Sequence, residues 1–162
     1  MIYFITIFMK NRRNYIIIPL IVIAIGAIGS VFTNAGMGWY NTLILPQGTP
    51  PGAIIWTVRT IIYACSIASL LLFWKTKHDK NFKLILRLFI INWLINMFWN
   101  RFFFVQHWLL FSFIMMIVLW IITIIKIILL YPRSKRASLL LIPYPIWVAI
   151  ASRFAYHIRI LN

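Results

Sequence analysis

Long apolar runs broken by clusters of basic residues leave this chain one solvent in which to fold. Residues 15–31, 52–74, 84–103, 108–130 and 139–160 are almost continuously apolar, and Lys and Arg gather between them. A helix needs about 20 such residues to cross roughly 30 Å of hydrocarbon. Backbone N–H and C=O groups in lipid must be satisfied within their own segment. The pattern predicts an all-α membrane protein of five transmembrane helices in a compact bundle. A membrane β-barrel is excluded because its strands are short and alternate apolar with polar positions. A water-soluble domain is excluded by composition, with 64% apolar residues and a mean hydropathy of +0.95.

The charge balance narrows the partners. Sixteen Lys and Arg face one acid, for a formal net charge of +15. Nucleic-acid binders carry such charge on polar, soluble surfaces; here it frames the spans, so anionic lipid headgroups are the expected partners and nucleic acid is not. With five spans, Lys10, Arg12, Arg13, Lys75, Lys77, Lys80, Lys83, Arg133, Lys135 and Arg136 fall on one side, against Arg101 and Arg159 on the other. The bias predicts a cytoplasmic N-terminus and an exoplasmic C-terminus; the membrane expected is a bacterial inner membrane. Residues Met1 to Met9 are apolar and precede the first basic cluster, the reverse of a signal peptide's order. The chain reads as an N-terminal extension over 1–14 and one membrane domain over 15–162. Cys65 is the only cysteine, which rules out an intramolecular disulfide. His78, His107 and His157 stand far apart, without the spacing of a metal site.

The first loop, about 33–51, differs in kind from the others. It carries no charge, but holds Gly36, Gly38, Trp39, Tyr40, Pro46, Gly48, Pro50 and Pro51. A loop of that length with aromatic anchors and rigid prolines is expected to pack over the bundle as a lid. Pro51 suits the first turn of the following helix, where its missing N–H costs nothing. Helical periodicity gathers Asn92, Asn96, Trp99 and Phe103 on one stripe of the third span, and Tyr144, Trp147, Ala151 and Phe154 on one of the fifth. Trp56, Arg59 and Tyr63 do so more loosely on the second. Three stripes beneath a lid predict an aromatic-lined cavity open toward the first-loop side. Aromatic faces stack on a flat ring and Tyr hydroxyls bond its polar rim, which makes Tyr40, Trp99, Tyr144 and Trp147 ligand candidates. The competing reading for each is helix packing or an interfacial belt; Trp74, Trp108 and Trp120 are read as belt or lipid-facing residues.

Two polar features inside the spans need partners. Asn92 reads as interhelical glue, and Asn96 as glue or ligand contact. Arg59 costs about 2.5–3.5 kcal/mol at mid-span on insertion scales. The only acid, Asp79, belongs to a loop on the opposite side. Arg59 therefore either snorkels to lipid phosphate or receives an anionic group of a ligand. Neither paired carboxylates nor a nucleophile with its base is evident, so no catalytic residue is assigned.

These residues make the chain resemble the TspO/MBR family, the tryptophan-rich sensory proteins and the mitochondrial translocator protein. Family members read Trp-Tyr-x-x-Leu-x-Lys-Pro-x-Trp-x-Pro-Pro at the first loop. Here the loop reads Trp39, Tyr40, Asn41, Thr42, Leu43, Ile44, Leu45, Pro46, Gln47, Gly48, Thr49, Pro50, Pro51. The stretch from Pro143, Tyr144 and Trp147 through Ala151 to Asn162 is similar to the family's fifth span, and Asn92 to Phe103 to its third. The resemblance implies a bundle that binds porphyrins, sterol-like lipids and benzodiazepine-type drugs, often as a homodimer, with porphyrin as ligand and no resident cofactor. It adds Trp39, Pro46 and Pro51, and assigns Asn96, Trp56, Arg59, Tyr63, Ala151 and Phe154 to the same pocket. The family's second-helix tryptophan, implicated in porphyrin breakdown, falls on Arg59. Gly48 stands where many members have tryptophan, Leu45 where they have lysine, and Met115 where they have aspartate. The resemblance thus implies binding or sensing more directly than transport or light-dependent degradation.

Overall fold

A computed structural model describes residues 14–74 and 79–162. Most of the expected extension, together with Lys75, Lys77 and His78, lies outside the described residues. Among those described, the elements are helices: α1 Asn14–Ala35, α2 Met37–Tyr40, α3 Gly52–Trp74, α4 Phe82–Asn100, α5 Leu109–Leu130, α6 Lys135–Leu139 and α7 Pro143–Leu161. Helix α1 begins at Asn14, the last residue of the expected extension. Five segments are long and apolar enough to cross a membrane: Tyr15–Ala35, Gly52–Trp74, Phe82–Val105, Leu109–Leu130 and Lys135–Leu161.

Three of these differ from the hydropathy boundaries by more than a residue, each for a local reason. Helix α1 runs on to Ala35, with the Thr33 hydroxyl donating back to the Gly29 carbonyl at 3.0 Å. Helix α4 continues into a π-helical turn, Arg101–Val105, whose wider winding turns the consecutive Phe103 and Phe104 both inward. The fifth segment breaks after Leu139 and restarts at Pro143, whose fixed φ suits a first helical turn.

The bundle is tight at one end and hollow at the other. At the basic-loop end, Ile18, Leu70, Phe73, Phe82, Ile85, Phe89 and Leu130 form a closed core. Trp74 belongs to it rather than to a lipid-facing belt, 6% exposed with its ring edge-on to Phe82 at 5.1 Å. Trp108 and Trp120 do face outward. Polar side chains tie the helices together here: Trp93 Nε1 donates to Ser66 Oγ at 3.1 Å, and Ser69 Oγ donates to the Ala137 carbonyl at 2.7 Å. Asn92 Nδ2 donates to Thr123 Oγ1 at 3.1 Å, the interhelical bond its sequence position called for. Such bonds contribute about 0.6 kcal/mol each within a membrane. Asp79 pairs with Arg133 at 2.8 Å, and that hydrogen bond, with the Asn81 N–H, holds its carboxyl below the usual carboxylate range.

Helix α5 packs broadly on α4 and α7, and α1 on α4. Helices α3 and α7 meet little, and the space between them is the hollow half of the bundle.

Candidate functional site

The gap between α3 and α7 is a cavity of about 550 Å³, within the size range of small-molecule pockets. Its walls are the stripes read from the sequence: Trp56, Arg59 and Tyr63 on α3, Asn96, Trp99 and Phe103 from α4 and its π turn, and Tyr144, Trp147, Ala151 and Phe154 on α7. The first loop closes it from above with Tyr40, Leu45, Pro50 and Pro51. That loop is pinned at its middle, at Ile44, by the Asn162 side chain. The Ile44 N–H donates to Asn162 Oδ1 at 3.0 Å, and Asn162 Nδ2 returns a bond to the Ile44 carbonyl at 3.1 Å. Burial of this part of the lid raises the Tyr40 hydroxyl above its ordinary pKa.

Two expected members are elsewhere. Trp39 stacks on His107 at 3.9 Å and meets Phe103 edge-on at 5.9 Å, so its indole braces the turn between α4 and α5. His107 adopts a positive φ of 58° to reverse the chain there. Pro46 begins a turn in which its carbonyl accepts both the Thr49 N–H and the Thr49 hydroxyl. Gly48, at φ 81° with open space around it, forms the bend of that turn.

A polar layer forms the floor. Asn96 Oδ1 accepts from the Tyr63 hydroxyl at 2.8 Å, and Asn96 Nδ2 donates to the Tyr144 hydroxyl at 3.0 Å. One amide thereby joins α3, α4 and α7 and fixes two cavity-lining rings. A turn nearer the lid, Asn100 Nδ2 donates to the Asn96 carbonyl at 2.7 Å and its Oδ1 accepts from Thr33 at 3.2 Å. Arg59 approaches the same place: a Cβ on Gly29 would lie 3.0 Å from Arg59 Nη2 and 3.1 Å from Asn100 Nδ2. Glycine at that position lets α1 come this close. Arg59 lies beside the rings of Trp56 and Tyr63, at 5.6 and 5.9 Å, and its Nη2 is buried without a hydrogen-bond partner. Trp99 Nε1 is likewise buried and unbonded.

Asn100, Thr33 and Lys126 were not singled out by sequence reasoning. Asn100 continues the Asn92–Asn96 stripe at the same four-residue step, a signal that was available. Lys126 sits near the end of an apolar run, where a lysine ordinarily snorkels outward. Instead it is fully buried, its Nζ unbonded, 4.6 Å from the Phe89 ring centre and 5.4 Å from that of Tyr144.

Comparison with known proteins agrees with this architecture. Residues 17–161 match the TspO/MBR family along nearly the whole described chain. The chain belongs to the TspO/MBR family. It is 34% identical over 145 residues to the tryptophan-rich protein TspO of Chlorobaculum tepidum, covering 86% of this chain and 90% of that one. Identity to the tryptophan-rich protein TspO of Archaeoglobus fulgidus is 33% over 146 residues, covering 88% and 93%. The protein CrtK of Rhodobacter capsulatus is 24% identical over 140 residues, 85% of each chain. Family membership and five spanning helices make this an integral membrane protein.

Proposed function

We propose that this member of the TspO/MBR family is a binding protein or sensor for a flat, amphiphilic ring compound of the tetrapyrrole type, held in the α3–α7 cavity. The observation that carries the reading is the buried, unbonded Nη2 of Arg59 in an aromatic wall. Trp56, Tyr63, Trp99, Tyr144 and Trp147 offer ring faces. Arg59 Nη2 and Trp99 Nε1 are buried donors still lacking acceptors. The single acid is engaged by Arg133, so the group that meets Arg59 is an anionic arm of the ligand, bound through a charge-assisted hydrogen bond. A sterol-like lipid would fill the same volume without engaging Arg59. In the bilayer, Lys80, Lys83, Arg133, Lys135 and Arg136 meet anionic headgroups on the cytoplasmic side of a bacterial inner membrane, and the lid faces outward.

The test is titration of the purified protein with protoporphyrin IX and with its dimethyl ester, following tryptophan quenching in the dark. Saturable binding with preference for the free acid, lost in Arg59→Leu, is the expected result. Equal affinity for acid and ester in the wild type would remove Arg59 from the reading; absence of saturable binding by either would overturn it. Trp56 lines the cavity one turn from Arg59, which favours a second reading in which its indole serves in light-dependent breakdown. A new absorbance band on illumination would establish that chemistry.

A further inference from the structure

A second cavity of about 430 Å³ lies between α1 and α3, on the outside of the bundle. Its α1 wall is Val22, Ile23, Gly26, Ala27 and Ser30, and its α3 wall runs from Trp56 to Ile67. Ile23, Ala27, Trp56, Thr60 and Ala64 are exposed, so the crevice opens sideways, onto the bilayer. It exists because Gly26 and Ala27 present almost no side chain there; a Cβ at Gly26 would already lie 3.2 Å from the Tyr63 ring.

The chemistry of the lining selects the occupant. Ser30 Oγ donates to the Gly26 carbonyl at 2.8 Å, Thr60 Oγ1 to the Trp56 carbonyl at 2.9 Å, and Tyr63 to Asn96. Arg59 contributes the buried lining donor, Nη2, that has no such engagement. The site is therefore an apolar slot, open to lipid, with one cation at its inner end. Depth argues against a phospholipid headgroup. Arg59 lies roughly 10 Å below the start of α3 and Gly29 roughly 9 Å below the end of α1, at 1.5 Å per residue. A phosphate anchored among the headgroups stays above that level, whereas the carboxylate of a free single-chain lipid can descend to it.

We propose that the α1–α3 crevice is a second ligand site, which takes the chain of a fatty-acid-like carboxylate from the bilayer and places its head on Arg59. Trp56, Arg59 and Tyr63 line both this crevice and the central cavity. One guanidinium serves two sites, and an anion in either withdraws it from the other. The crevice site stands whatever the central cavity binds; the competition between them rests on the tetrapyrrole reading.

A dibrominated stearic acid and its methyl ester are the probes, added to the detergent-solubilised protein, with tryptophan quenching as the readout. The acid is expected to quench saturably and to bind about tenfold or more tightly than the ester, the worth of one charge-assisted bond. Arg59→Leu should erase that preference. Ala27→Phe and Thr60→Phe fill the crevice from opposite helices without lining the central cavity, and should each abolish saturable quenching while preserving helical content by circular dichroism. Equal quenching by acid and ester, or quenching indifferent to both filling substitutions, means ordinary contact with surrounding lipid and overturns the proposal. Retention of a two-chain anionic phospholipid in native mass spectra, undisplaced by the acid, overturns the single-chain assignment. In wild type the acid should also weaken protoporphyrin binding, but not dimethyl-ester binding. A protein that takes the fatty acid yet ignores protoporphyrin would sink the central-cavity reading alone.

Discussion

Replacing Lys126 by methionine is expected to make this protein more stable. Its amine is fully buried in the bundle, without a hydrogen bond. Helical side chains lean toward the N-terminus of their helix, which turns this lysine away from the nearby end of α5 and toward Thr123 and Tyr144. Placing an ammonium in the hydrocarbon region costs about 2.5–3.5 kcal/mol on insertion scales. Against this stand two ring contacts: the Phe89 face at 4.6 Å, about 2 kcal/mol when desolvated, and Tyr144 at 5.4 Å, about 0.5–1 kcal/mol. These terms nearly cancel. Methionine keeps the length and apolar stem, removes the desolvation cost, and sets a sulfur against the same rings for about 0.3–1.5 kcal/mol. The sum predicts a gain of about 1–2 kcal/mol, in line with other exchanges of a buried charge for an apolar side chain of like volume. Reversible unfolding in mixed micelles of rising SDS fraction, followed by circular dichroism, measures it. Lys126→Ala is the control. It also removes the stem, and the loss of packing, about 2–5 kcal/mol for comparable truncations, should outweigh the relief. A methionine variant less stable than wild type by more than about 1 kcal/mol would refute the reasoning, because the amine would then be making a charge-assisted bond of about 1.5–3 kcal/mol.

Asn96→Leu should cost about 1–3 kcal/mol, since it breaks the bonds to Tyr63 and Tyr144 that hold three helices and strands two hydroxyls; the same SDS titration reads it. Gly36→Ala should impair folding, because a Cβ there would overlap the Phe104 carbonyl, a backbone atom that cannot step aside; the yield of monodisperse protein reports the outcome. The Asp79–Arg133 pair should stabilise the fold above the ordinary carboxylate range, with the effect lost as pH falls through the lowered pKa of Asp79. The stability difference between wild type and Asp79→Asn should therefore vanish at strongly acidic pH, and a difference that persists there would count against it. Removing the Asn162 side chain, as in Asn162→Ala, should loosen the lid by deleting both bonds to Ile44, seen as faster hydrogen exchange of the Ile44 amide with little change in the bundle.

The solvent and the architecture were legible in the residues themselves. Hydrocarbon leaves a chain no choice but to satisfy its backbone within each span, so five apolar runs meant five helices. Helical repeat then placed Trp56, Arg59 and Tyr63, Asn96 and Trp99, and Tyr144, Trp147, Ala151 and Phe154 on common stripes, and these stripes surround one cavity. Local chemistry likewise set Pro51 just before a helix, whereas the restart of the fifth segment at Pro143 was not read from its apolar run. The tertiary structure alone decided which way each stripe faces and at what depth. In water, polarity marks the outer face of a helix, but in a bilayer both faces are apolar, so Trp74 and Trp120 carry the same signal while one is buried and the other faces lipid. Trp39 stacks on His107 at the turn between α4 and α5 and does not line the cavity. Lys126 went inward, and Arg59 came to stand between two cavities. Each of these outcomes depends on how neighbouring helices are rotated and where small residues such as Gly26 and Gly29 allow close approach, a property of pairs of helices that no single apolar run encodes.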